Sequence, residues 1–314
     1  MVRLTLRATT TAAAGDGICA NSETGLGNLD AFEASLAPML ASHPSPFSLD
    51  LSALDHIRPA TLVLLITALR HRAVEYPSAD FEYSPPRENH LGRRLSSETL
   101  RALIAPSTGG QPAEHRDAVG FDGCEPFSSG EGVTRSAYAL QASLRRRVAL
   151  PEEKLGSIGS LLTALAGNVL RHGTRRGGTA AVEITGDERA LEIEIAVADR
   201  GVGIRRSLAR NPDHRDLPND TAAIERALQP GVSGDPRPSG GIGLFMARKV
   251  IERNGGTLMI RSGSGLITHP SPGQPSASSV SVRGTLVVAC VRLDAPFDYQ
   301  AVDDEAAEPG GLMG

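Results

Sequence analysis

The tightest constraint on this chain is a set of three short stretches that follow one another in its second half. The first is Asn168, near the end of a long amphipathic run and followed by Arg171, His172 and Gly173. The second is Asp199-Arg-Gly201-Val-Gly203, an acid that closes a run in which Leu191, Ile193, Ile195 and Val197 alternate with other residues as in a strand. The third is Gly240-Gly241-Ile-Gly243-Leu244, glycines that open a helical pattern stopped by Asn254-Gly255-Gly256. The order is thus helix, strand end, helix start.

Each residue type has a chemical use there. A carboxylate at a strand end accepts a hydrogen bond from an exocyclic amine such as adenine N6. Glycines beside it let backbone approach a flat ring. Glycines at a helix N-terminus leave amide N–H groups free for phosphates, and the helix dipole assists. The amide oxygen of Asn168 is a hard ligand suited to Mg²⁺, which keeps several waters and bridges phosphates. The long stretch 204–239 between the second and third pieces is the natural lid.

The order of elements predicts two α/β units. Residues 29–40 carry Phe32, Leu36 and Leu40 at helical spacing, 47–51 read as a strand, Pro59 opens an apolar helix to about residue 72, and 80–83 read as a strand. Residues 1–86 are expected to form one small domain. Residues 87–127 are read as a linker containing one short helix at 98–104. Residues 128–294 form the second domain, with helices at 134–148 and 152–171 and a hairpin at 179–199. A short helix at 221–228, a helix at 243–253 and strands at 257–262 and 285–293 complete it. Residues 295–314 belong to a tail with six acids and no base from Asp294 onward, expected to be disordered.

The three pieces together resemble the GHKL superfamily, which includes gyrase-type ATPases, histidine-kinase catalytic domains and anti-sigma-factor serine kinases. The resemblance implies binding of ATP and Mg²⁺ on a Bergerat α/β sandwich, a mixed sheet covered by helices on one face. Leu165-Ala-Gly-Asn168-Val-Leu-Arg-His172-Gly is similar to the N box, with Asn168 as the Mg²⁺ ligand and Arg171 and His172 near the phosphates. Asp199, Gly201 and Gly203 resemble the G1 box, with Asp199 on adenine. Gly241 and Gly243 resemble the G2 box around the phosphates, and Gly284-Thr285 the closing strand whose Thr285 supports Asp199. Residues 227–233 resemble the lid of the anti-sigma kinase branch.

One position departs from that family. A Glu general base stands one helical turn before the N-box Asn in hydrolysing and serine-kinase members; here the residue is Ala164, which cannot take a proton. The expectation is therefore a nucleotide-gated protein-binding module with weak or no hydrolysis and no catalytic residue at 164. The alternative is an active anti-sigma-type serine/threonine kinase or ATPase. A histidine-kinase relative without its dimerisation domain is a third option.

The N-terminal half more distantly resembles a STAS domain, the fold of anti-anti-sigma factors, through residues 49–62. Where regulated members carry a phosphorylatable Ser, this chain has Pro59 or Ala60, so a docking role with His56 and Arg58 at the loop is expected.

Composition narrows the partners. Lys+Arg total 32 against 36 Asp+Glu, a net charge of −4, and aromatics are 4% with no Trp, which speaks against a nucleic-acid surface. The longest apolar stretch, 60–69, is about half a membrane span, and Arg7 interrupts any leader. Cys19, Cys124 and Cys290 lie far apart with no CxxC, which suits a reducing compartment. The eight histidines show no metal spacing, and His71 and His214 are read as surface residues. A cytoplasmic regulator is expected, with a sigma-factor regulator or other signalling protein as partner, no nucleic acid and no membrane. The resemblance also allows a homodimer.

Overall fold

The structure is a computed structural model. It describes residues 2–7, 29, 32–37, 47–54, 56–77, 81–87, 91–92, 95–105, 124–172, 177–187, 190–235, 241–270 and 276–307.

In the C-terminal half, strands β4 (Cys124–Phe127), β5 (Gly178–Asp187), β6 (Ala190–Asp199), β7 (Thr257–His269) and β8 (Ser276–Arg292) form one sheet in the order β4-β5-β6-β8-β7. Every pairing is antiparallel, where a mixed sheet was expected. The β5–β6 hairpin follows the alternation: Val182, Ile193, Ile195 and Val197 point to one face, Ala181, Glu194, Ala196 and Ala198 to the other. On the first face lie α3 (Gly130–Arg147), α4 (Glu152–His172) and α7 (Gly243–Asn254). Leu155, Ile158, Leu161, Leu162, Leu165 and Val169 make the buried stripe of α4. Helix α7 ends at Gly255, whose φ of 69° is left-handed, as Asn254-Gly255-Gly256 predicts.

The second face is covered too, against the expectation of helices on one face only. In the N-terminal half, β1 (Val2–Arg7), β2 (Phe47–Ala53) and β3 (Phe81–Ser84) form a parallel sheet in that order, and α1 (Pro59–Glu75) links β2 to β3. Helix α1 is apolar all round: Leu62, Val63, Leu65, Ile66 and Leu69 are all buried. A helix of that kind needs apolar neighbours on more than one side. It finds them by joining Leu49 and Leu51 of β2 and Ala181, Ala196, Ala198, Met259 and Val288 of the larger sheet in a single core.

Buried polar contacts match the two halves. Arg58 Nη2 lies 2.5 Å from Glu194 Oε2, and the Ala60 amide donates to Oε1 at 3.4 Å. Thr67 Oγ1 hydrogen-bonds Thr179 Oγ1 at 2.9 Å, and Glu33 pairs with Arg261, which is fully buried. Arg58, expected at a docking loop, is therefore spent inward and Ala60 is completely buried, while His56 of the same loop stays exposed.

Four further expectations are corrected. The region 87–127 is no plain linker: α2 (Ser97–Ile104) buries Leu100 and Leu103 in the N-terminal core, and β4 is an edge strand of the large sheet. Residues 299–307 of the acidic tail form α8 (Tyr299–Ala307), because Phe297 and Val302 supply an apolar side that buries against α4 and α7, while Glu305 faces out to Arg253. His71 and His214 are buried, His71 within 3.0 Å of Glu75. Cys290 is disulfide-linked, its partner lying outside the described residues, so cysteine spacing gives no argument for a reducing compartment. Among the described residues no helix is long and apolar enough to cross a membrane.

Candidate functional site

The C-terminal ends of α4 and β6 and the start of α7 meet around a half-open cavity. Of the nine predicted binding residues, seven line it: Asn168, His172, Asp199, Gly203, Gly241, Gly243 and Thr285. Gly201 stands behind Asp199, where its amide donates to Asp199 Oδ1 at 2.5 Å. Arg171 departs from expectation. It is exposed, donates to Asn168 Oδ1 at 3.3 Å, and lines a neighbouring groove with Ala164, Tyr138 and Tyr299.

Asp199 is set by the sheet. It ends β6 opposite Thr285, whose backbone also hydrogen-bonds it, and burial pushes its carboxyl up to about 6 against those bonds. A side chain at Gly284 would run into the Asp199 carbonyl, and the φ of 97° there is one that glycine tolerates. Valines 197 and 287 and Leu165 supply apolar lining, the surface a flat ring needs.

The other part of the lining is built for an anion. Helix α7 starts at Gly243 with no side-chain cap, so its first amides have no partner of that kind. A Cβ at Gly243 would stand 3.1 Å from both atoms of the Asn168 amide. Glycine lets the helix start sit directly over Asn168. Asn168 Nδ2 is buried with no hydrogen-bond partner. Such an orphan is costly unless something fills the site. His172 Nδ1 lies 3.1 Å from Ser207 Oγ, and burial, with Arg171 and Arg210 nearby, lowers its pKa, which favours the neutral ring.

The segment over the cavity is folded. Helices α5 (Ile204–Leu208) and α6 (Asp220–Ala227) and Val232 make a small core of their own from Leu208, Ala223, Ala227 and Val232. Asn219 caps α6 through the Ala222 amide at 2.8 Å. Gly240 and residues 236–239 lie outside the described residues.

Sequence reasoning missed Ser207 and Ser262. Serine is common in turns and helices, and neither sits in a glycine run. Ala164 holds the place of the absent base, and Asp199 is the only carboxylate lining the cavity among the described residues.

Comparison with known proteins agrees with this geometry. Residues 131–254 match the family described as histidine kinase-like ATPase domain. The chain is 29% identical over 127 residues to the Virulence sensor protein BvgS of Bordetella bronchiseptica, covering 40% of this chain and 9% of that protein. It is 30% identical over 102 residues to its counterpart in Bordetella pertussis, covering 32% of this chain and 8% of that protein. The chain thus spans less than a tenth of the length of these relatives. With the matched span enclosing Asn168, Asp199 and Gly243, the C-terminal half carries a histidine kinase-like ATPase domain of the GHKL type.

Proposed function

We propose that this protein is a cytoplasmic, nucleotide-gated protein-binding module that holds Mg·ATP or Mg·ADP and hydrolyses it little or not at all. The observation that carries this reading is the pairing of a cavity lined by seven of the nine predicted binding residues with Ala164 at the position of the family's general base. Asp199 would take the adenine amine. Asn168 would hold Mg²⁺, and the uncapped start of α7 would take the phosphates. The orphaned Asn168 Nδ2 is a donor and, with the glycine start over it, fits a phosphate oxygen, while Oδ1, which accepts from Arg171, is the atom that would hold Mg²⁺. When bound, Mg²⁺ would neutralise phosphate charge and keep part of its water shell. His172, neutral and tied to Ser207, would orient and close off water beside the phosphates.

The folded lid would then report nucleotide state to a protein partner, a sigma-factor regulator or another signalling protein. Ile242, exposed between the two G2-box glycines, supports the lid hinge as the contacting surface.

Calorimetric titration with ATP and ADP, with and without Mg²⁺, tests binding, and a phosphate-release assay tests turnover. Wild type is expected to bind both nucleotides and release no phosphate. Ala164→Glu restores a carboxylate one turn from Asn168 and is expected to raise phosphate release at least tenfold above wild type. Turnover in wild type would instead establish the active kinase or ATPase, and no binding would sink the nucleotide reading.

A further inference from the structure

Glu33, in the short helical run 32–37 of the N-terminal half, reaches two residues that flank the cavity. It pairs with the fully buried Arg261, and together with Glu75 it acts electrostatically on Arg200. Arg200 follows Asp199; Arg261 precedes Ser262.

Successive side chains on a strand point to opposite faces. On β7, Met259 and Arg261 face the N-terminal half, and Leu258, Ile260 and Ser262 face the other side. Ser262 Oγ accepts the Ile204 amide at 2.9 Å, donates to the Gly284 carbonyl at 3.0 Å and lies 3.3 Å from Thr285 Oγ1. Ile204 and Thr285 line the cavity, so Ser262 pins two of its walls from behind. Two residues on, the Ser264 amide and hydroxyl donate to Asp220 Oδ2 at 2.9 and 3.0 Å, which ties the start of lid helix α6 to the same run.

The β7–β8 register shifts immediately after Ser262. Ser262 is the last residue in register, opposite Thr285, and the bulge interrupts the ladder beyond it. Besides that pairing, Ser262 is steadied by the peptide it shares with Arg261, whose side chain is held by the ion pair to Glu33. We infer that Ser262 is a positioning residue of the nucleotide site, and that the N-terminal half, through Glu33 and Arg261, sets how firmly the Asp199 end of the cavity and the lid are held. The affinity part of this inference rests on the nucleotide reading above; the mechanical part does not.

A matched control exists within the molecule. Arg58–Glu194 is also an ion pair between the halves, fully buried at Glu194 and partly exposed at Arg58, but Glu194 aligns across Cys290 with Thr257, five residues and roughly 16 Å along β7 from Ser262. The test uses the full chain and the variants Glu33→Gln, Ser262→Ala and Glu194→Gln. Amide hydrogen exchange without ligand reads the pin, and titration with Mg·ADP reads affinity.

Glu33→Gln and Ser262→Ala are expected to speed exchange of the Ile204 amide at least tenfold and to weaken ADP binding about tenfold. Glu194→Gln should leave both within twofold. The double variant of Glu33 and Ser262 should bind ADP no worse than Ser262→Ala alone, because the two residues act in series. Should Glu33→Gln not fold, Glu33→Asp keeps the charge, shortens the reach and carries the same comparison. Equal effects of the Glu33 and Glu194 changes, or unchanged Ile204 exchange in Ser262→Ala, overturn the inference. If the exchange pattern holds while wild type binds no ADP, the nucleotide reading fails and the coupling stands. If exchange is flat while ADP binds, the reverse follows.

Discussion

Asp199 carries a conflict between folding and binding. Burial raises its pKa to about 6, so the native state holds a proton more tightly than the unfolded chain does. Its contribution to stability is therefore greatest below the ordinary carboxylate range and is lost as pH rises toward 6. At neutral pH the ligand-free protein pays for an ionised, buried acid. Asp199→Asn should raise Tm by about 2–6 °C at pH 7.5, with little gain at pH 4, and should abolish adenine-nucleotide binding. In wild type, ADP affinity should fall as pH drops through 6, because a protonated carboxyl presents a poorer acceptor to an amine; calorimetry at pH 5 and 7.5 measures this. Asp199 and the glycines were legible in the sequence because few residues can take their places. Glu194 was not. Alternation shows that Glu192 and Glu194 oppose the apolar face of β6, but one strand read alone cannot reveal that this second face is covered. Glu194 is fully buried against Arg58, and that pairing spans 136 residues.

Among the elements, the long helices and the β5–β6 hairpin followed from periodicity, since each has one apolar side. Two elements did not follow. The β7 and β8 strands extend through residues 263–269 and 276–284, where Gly and Ser dilute the strand signal and the pairing shifts register. Helix α8 was obscured by its charge: Asp303, Asp304 and Glu305 dominate the composition, while Phe297, only 5% exposed, and Val302 do the packing. Phe297→Ala should destabilise the protein by about 3–4 kcal/mol in urea unfolding, as large-to-small changes in a core do. ADP affinity should stay within twofold, since Phe297 does not line the cavity. An unfolded tail would show no loss of stability.

At the scale of the whole molecule, the order of elements along the chain predicts two α/β units but not the joint between them. The all-round apolar character of 60–69 was the available sign: such a helix has no solvent face to present. Because both halves contribute to one core, scanning calorimetry of the full chain should show one cooperative transition where two separable domains would show two. Removal of residues 1–123 would expose Met259, Val288 and Ala196 and take away Arg58 and Glu33, which pair with Glu194 and Arg261. That fragment should aggregate or bind a hydrophobic dye strongly, as judged by light scattering and dye fluorescence. A monomeric, dye-silent fragment would contradict the shared core.

The matched charges of the covered sheet face also limit how this ATPase domain can be reused. Grafted onto a different protein, it would bring a carboxylate at 194 and a guanidinium at 261 into surroundings with no answering charge. A graft that keeps these charges answered must therefore carry Glu33 and Arg58 along with it, although each half has its own sheet.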